Sequence, residues 1–216
     1  MLIALDLDDT LYLERDFVRS GFISVDKWLW EHAGIAGFFE VSWDLFEAGT
    51  RGNTFDLALE KLQRHSHELV QEMVKAYREH RPAIRLEPDA LDFIRSFRPE
   101  DLALITDGYS LTQWSKIRAL GLESLIGAII VTGDKGQEFS KPHPWSFLTV
   151  QGARPPRECM YVGDNPLKDF NAPSLLGWSR SCRIRREGSL HFHLQTPGDC
   201  LELGSFADVR EALPRP

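Results

Sequence analysis

Leu2-Ile3-Ala4-Leu5-Asp6-Leu7-Asp8-Asp9-Thr10 is an apolar run that breaks into carboxylates. A short apolar run bounded by polar residues reads as a strand buried on both faces, here residues 2–7 with its carboxyl end at Asp6. The signature returns further along the chain. Residues 102–106 run into Asp107-Gly108, 128–132 into Gly133-Asp134, and 159–162 into Gly163-Asp164, with 178–184 a fainter instance. Helical patterns lie between them. Residues 88–97 carry Ala90, Leu91, Phe93, Ile94 and Phe97, with Pro88 suited to a first helical turn. Residues 111–120 stop at Gly121, and 144–151 and 168–176 are shorter. Strands alternating with helices predict a parallel α/β sheet, whose chemistry gathers at the carboxyl ends of its strands.

One segment breaks the alternation. Between about 12 and 85 no buried strand is evident, whereas 16–32, 41–48, 54–65 and 68–81 read as helices. Trp28, Trp30, Phe38, Phe39, Trp43 and Phe46 supply large apolar side chains for a separate small core. The expected organisation is therefore a catalytic α/β domain of 1–11 and 86–216, with 12–85 a helical insertion after the first strand.

Composition narrows the function classes. The 216 residues are 43% hydrophobic and 26% charged, ordinary for a globular protein, and the net charge of -7 argues against a nucleic-acid partner. The basic stretch Arg180, Arg183, Arg185 and Arg186 reads as a solvated strand end. Three widely spaced cysteines suggest neither a disulfide framework nor a thiolate metal site, which fits a cytoplasmic location. No leader-like segment and no membrane span is expected.

The acids at the first strand end carry the strongest chemical signal. Asp6 and Asp8 leave the strand on the same side, and two unit charges 4 Å apart repel by about 4 kcal/mol at an effective dielectric near 20. A hard divalent cation removes that cost, and oxygen donors suit Mg²⁺. Thr106-Asp107-Gly108 offers a hydroxyl and open backbone N–H groups for phosphate oxygens. Lys141, stiffened by Pro142, offers a compact positive charge. Gly163-Asp164-Asn165 places another carboxylate at a strand end, and Asp169 reads as the opening of the next helix.

Asp6-Leu7-Asp8-Asp9-Thr10, Thr106, Lys141 and Gly163-Asp164 with Asp169 together resemble the four motifs of the haloacid dehalogenase-like hydrolase superfamily. The resemblance implies a Rossmann-like core with helices on both faces, an all-helical cap at the insertion, and Mg²⁺ as cofactor. It implies that Asp6 is the nucleophile of an aspartyl-phosphate phosphatase and that Asp8 moves protons. Asp6, the backbone carbonyl of Asp8, and Asp164 would hold the ion. Thr10 would orient Asp8 or the turn through its hydroxyl, Asp169 would act from behind the ligands, Lys141 would neutralise charge, and Thr106, Asp107 and Gly108 would bind phosphate. Asp9 reads as a turn or capping residue. Asp8 favours phosphoryl transfer over dehalogenation, since dehalogenating members lack that acid.

The expected substrate is a small phosphorylated metabolite: a sugar phosphate, phosphoglycolate or a nucleotide. Arg51 and Asn53, in an interhelical loop, and Tyr109, after the second motif, are candidate substrate contacts, and Tyr12 a candidate cleft residue. The pairs His65/His67 and His191/His193 lack an evident third ligand for a metal. A monomer or weak homodimer is expected. A phosphomutase of the same family and a non-enzymatic phospho-receiver module are the alternatives. The receiver is disfavoured by the Asp-x-Asp-x-Thr spacing, Asp164 and the helical insertion.

Overall fold

The computed structural model describes residues 1–213. The chain divides into two compact units, Met1–Arg15 with Ile84–Pro216, and Asp16–Ala83. In chain order the elements are β1 (Leu2–Leu5), α1 (Glu14–Ala33), α2 (Phe38–Glu47), α3 (Thr54–Lys61), α4 (His67–Glu79), α5 (Pro88–Arg95), β2 (Leu102–Thr106) and α6 (Ser110–Ala119). There follow β3 (Ala128–Val131), α7 (Trp145–Gln151), β4 (Cys159–Gly163), α8 (Asn171–Leu175), β5 (Arg180–Ile184), β6 (Leu201–Leu203) and α9 (Phe206–Ala212).

The first unit is built on one parallel sheet in the order β3-β2-β1-β4-β5-β6. Ala4, Ala103, Ile105, Cys159 and Tyr161 form one buried cluster with Phe147 and Val150 of α7 and Ala172 of α8. The alternating residues Ile3, Leu5, Leu102, Leu104, Met160 and Val162 are just as buried, so both faces of the sheet are covered. This double burial is why the central strands read as continuous apolar runs.

From β1 the chain steps outward through β2 to β3, then returns to the other side of β1 for β4. That reversal makes the β1/β4 boundary the switch point where α/β sheets bind ligands. Register fixes what meets there. Leu5 lies opposite Leu104 and Val162, and the Asp6 N–H donates to the Val162 carbonyl at 2.8 Å. Asp6 therefore leaves the sheet level with Gly163-Asp164. Glycine is required at 163, where a Cβ would lie 2.5 Å from Asp169 Oδ2.

The carboxyl-terminal part departs from expectation. β6 has no apolar run because it is a short, largely exposed edge strand. α9 begins with a capping box between Ser205 and Asp208, a signal readable in the sequence. Of the basic stretch only Arg180 is a solvated strand end. Arg183 is buried, Arg185 pairs with Glu202, and Arg186 donates to both oxygens of Asp89 at 2.8 Å.

The second unit is helical. Phe22 of α1 meets Phe38, Phe46 and Phe55 edge-on, with centroids 6.1, 6.3 and 6.0 Å away. Gly21 makes room for Tyr77, whose ring would lie 2.2 Å from a Cβ there. Trp30, expected in this core, is instead 63% exposed, and Trp28 stacks on His32.

Two loops at the sheet's carboxyl edge touch backbone to backbone, since a Cβ on Gly133 would sit 2.1 Å from the Gly108 carbonyl oxygen. Gly133→Ala should destabilise the fold by about 1–3 kcal/mol in urea unfolding, the usual cost of overpacking. Unchanged stability would show that the two loops yield freely.

Candidate active site

The ends of β1, β2 and β4 deliver side chains to one pocket of about 120 Å³, lined among others by Asp6, Asp8, Thr106, Asp107 and Asp164. Lys141 is its electrostatic centre. The Nζ is buried, donates to Asp6 Oδ1 at 2.5 Å, pairs with Asp169 Oδ1 at 2.8 Å, and donates to the Tyr161 hydroxyl at 3.0 Å. Oxygens of Asp6, Asp164 and Asp169 lie within 4.8 Å of one another. Three buried carboxylates thus share one ammonium group. Burial pushes Asp6 up to about 8, against the pull of Lys141 and with Asp169 and Asp164 adding repulsion. Burial also pushes Asp164 up to about 8, with Asp169 adding to it. Burial pulls the Lys141 ammonium down, but Asp169 and Asp6 outweigh it and hold it well above its ordinary range.

This arrangement tests the fit of a divalent cation. The donors are oxygens, they converge, and their charge exceeds what the lysine can cancel, which are the properties of a hard-cation site. Asp169 is the least available of the three, because Lys141 takes Oδ1 and the Asn165 N–H donates to Oδ2 at 2.8 Å. Asp169 does not open a helix as expected. It precedes α8, and its carboxylate points into the site because Gly163 leaves space for it.

Asp8 has its own setting. It accepts from Lys116 Nζ at 2.7 Å, from Gln113 Nε2 at 2.9 Å, and from the Tyr12 hydroxyl. Burial opposes ionisation, but the Lys116 charge and these hydrogen bonds outweigh it and hold Asp8 below the usual carboxylate range. Gln113 Nε2 also donates to Thr106 Oγ1 at 2.6 Å, which joins Asp8 to the threonine hydroxyl. The Asp107 carboxylate is fully engaged. It accepts from Thr132 Oγ1 at 2.9 Å, from the Lys141 N–H at 3.0 Å and from Lys168 Nζ at 3.0 Å. It braces the lysine loop, while Gly108, at φ +134°, carries the open turn.

Other candidates are placed differently. Asp9 is a capping residue, accepting from the Glu14 N–H at 2.8 Å and the Leu190 N–H at 2.7 Å. The expected orienting role of Thr10 is not seen, because its buried hydroxyl finds no hydrogen-bond partner among the described residues. In the helical unit, Arg51 Nη1 donates to the Phe46 and Thr50 carbonyls at 2.7 Å, and its guanidinium lies over the Phe46 ring. Asn53 precedes α3 without a side-chain cap, and Tyr109 is 51% exposed.

Sequence reasoning missed Lys116, Gln113, Glu14, Lys168 and the contribution of His191, all at the pocket or against its acids. Gln113 and Lys116 share a helix face at i, i+3, which was legible, but nothing local ties that face to Asp8. His191 Nδ1 lies 3.0 Å from Asp164 Oδ2, while His193 is exposed and packs edge-on against Phe192. The histidine spacing was therefore not the signal.

A profile for haloacid dehalogenase-like hydrolases matches residues 1–172. A glyceraldehyde 3-phosphate phosphatase from Methanocaldococcus jannaschii is 28% identical over 188 residues, 81% of this chain and 81% of that protein. Its counterpart from Methanopyrus kandleri is 30% identical over 140 residues, 61% of this chain and 58% of that protein. A phosphoserine phosphatase from Thermus thermophilus is 32% identical over 115 residues, 51% of this chain and 45% of that protein. Among solved structures, the magnesium-bound HAD-hydrolase YfnB from Bacillus subtilis has a TM-score of 0.66 at 20% identity, covering 99% of this chain and 98% of that one. L-2-haloacid dehalogenase from Xanthobacter autotrophicus has a TM-score of 0.61 at 18% identity, covering 98% of each chain. These two share the fold, and the fold alone does not separate phosphatase from dehalogenase chemistry. With its motif residues gathered at one switch point and the profile spanning them all, the chain belongs to the haloacid dehalogenase-like hydrolase family.

Proposed function

We propose that the chain is a magnesium-dependent phosphatase that hydrolyses a small phosphate monoester through a phosphoryl group carried on Asp6. The observation that carries this reading is Lys141 held between Asp6 and Asp169 beside Asp164, a nucleophile set in a site where three carboxylates face one ammonium group. Asp6, the backbone carbonyl of Asp8, and Asp164 would hold Mg²⁺, which when bound supplies positive charge to the phosphate oxygens.

The remaining steps belong to the chain's own groups. Lys141 engages Oδ1 of Asp6 and leaves Oδ2 for attack on phosphorus. The Thr106 hydroxyl and the Gly108 backbone hold phosphate oxygens, so that positioning and charge cancellation lower the barrier. The new bond joins Asp6 to phosphorus as the bond to the leaving alcohol breaks, and that oxygen takes a proton that Asp8, ionised at rest, has first accepted from solvent. Asp8 then takes a proton from the water that attacks phosphorus, releasing inorganic phosphate and restoring Asp6. Its resting ionised state suits this second half.

The relatives' names support short phosphomonoesters such as glyceraldehyde 3-phosphate and phosphoserine as the first substrates to try. Asp8 separates this reading from dehalogenation, which needs no proton-transferring acid two residues after its nucleophile. The helical unit is proposed to act as the cap that selects the leaving group.

A panel of both compounds, phosphoglycolate, sugar phosphates and nucleoside monophosphates, assayed for free phosphate, should show Mg²⁺-dependent turnover. Asp6→Asn should lower it by about 10³-fold or more, the scale expected when a covalent nucleophile is lost. An Asp6→Asn protein with wild-type turnover would refute the nucleophile, and isomerised product without free phosphate would indicate a mutase.

The raised carboxylates also set a pH dependence. Without the ion, the folded state keeps protons on Asp6 and Asp164 that the unfolded chain releases near the ordinary value of 3.8. Their stabilisation is therefore present at low pH and lost as pH rises through about 8. The Tm of the metal-free protein should fall between pH 5 and pH 8, and Mg²⁺ should raise it more at pH 8 than at pH 5. A Mg²⁺ effect equal at both values would contradict the assignment.

A further inference from the structure

The loop after β5 reaches back to the pocket, and several of its fastenings lead to Asp9, Asp164 and Asn165. Asp9 Oδ2 accepts from the Leu190 N–H at 2.7 Å. The buried Arg183 donates through Nη2 to the His191 carbonyl at 2.6 Å, through Nη1 to the Leu194 carbonyl at 2.7 Å, and through Nε to the Asp164 carbonyl at 2.8 Å. The backbone of His191 is thus pinned on both sides, and one guanidinium ties it to the backbone of Asp164.

The imidazole is fixed as firmly. The Leu167 N–H donates to Asn165 Oδ1 at 3.0 Å, so the other end of that amide, Nδ2, is the donor toward His191 Nε2 at 3.1 Å. Nε2 therefore accepts, and Nδ1 carries the proton that it donates to Asp164 Oδ2 at 3.0 Å. Both ring nitrogens are committed, and one oxygen of Asp164 is held while the other stays available.

We propose that His191 is a positioning residue for the cation site, orienting the Asp164 carboxylate through its Nδ1–H and so setting affinity for Mg²⁺. This rests on the reading of Asp164 as a metal ligand. Hydrogen bonds to ligating carboxylates hold them in their binding orientation, and their loss commonly costs about 10–100-fold in metal affinity.

The test is calorimetric titration of the full chain with MgCl₂ alone, comparing wild type, His191→Phe, His191→Asn and Asp164→Asn. His191→Phe keeps a planar ring without the donor, and His191→Asn restores an N–H near the Nδ1 position. His191→Phe should weaken Mg²⁺ binding by about 10–100-fold, and His191→Asn should recover most of it, at similar Tm. Wild-type affinity in His191→Phe, with binding lost in Asp164→Asn, would overturn the inference and leave the metal assignment standing. Wild-type affinity in Asp164→Asn would overturn the metal assignment itself. A ¹⁴N coupling to His191 in the electron spin-echo spectrum of the Mn²⁺-loaded protein would make it a direct ligand and also overturn the positioning role.

Discussion

Three buried carboxylates and one ammonium meet where β1 and β4 end, and much of the surrounding structure serves to hold that imbalance in place. Like charges brought together in a protein interior repel strongly, so such a cluster persists only when the fold over-determines it. Sheet register fixes Asp6 against Val162, a glycine opens space for Asp169, and Asp107 anchors the lysine loop through its backbone N–H. The site is thereby pre-organised for positive charge before any ligand arrives, the property that electrostatic catalysis requires.

Two carboxylates two residues apart are held in opposite states. Burial, with smaller repulsion from Asp169 and Asp164, pushes Asp6 toward its neutral form, while Asp8, also buried, is kept ionised by Lys116, Gln113 and Tyr12. Both lie beyond the end of β1 at Leu5, where strand alternation no longer keeps them on one side, and one meets the acids after β4 while the other meets α6. Different environments for two nearby acids suit the division of labour proposed for them, nucleophile and proton carrier. Gln113, donating to both Asp8 and Thr106, couples the proton carrier to the hydroxyl proposed to hold phosphate.

The legible part of this arrangement was the part carried by the central strands. β1, β2 and β4 are buried on both faces and so announce themselves as apolar runs, and the acids that end them were readable as a site. The amino-terminal motifs also sit on short, fixed turns, which makes spacing informative. The supporting groups were hidden for a different reason. Lys116, Gln113 and His191 reach the acids from a helix and a loop more than a hundred positions, or nearly thirty, away in sequence, and only tertiary packing brings them there. Arg183 was misread because four nearby arginines look like a solvated edge, whereas its guanidinium is spent on carbonyl groups of the folded loop. Thr10 was assigned an orienting bond by motif, and its hydroxyl makes none among the described residues.

The most direct probe of the central electrostatic claim is the proton count on metal binding. Calorimetric titration with Mg²⁺ at pH 7, repeated in buffers of different ionisation enthalpy, reports protons released per ion bound. Acids held near 8 by burial and by one another must ionise when the cation arrives, which predicts release of about one proton or more per ion. Tight binding with no proton released would contradict that claim, because the carboxylates would then already be charged and balanced in the folded protein.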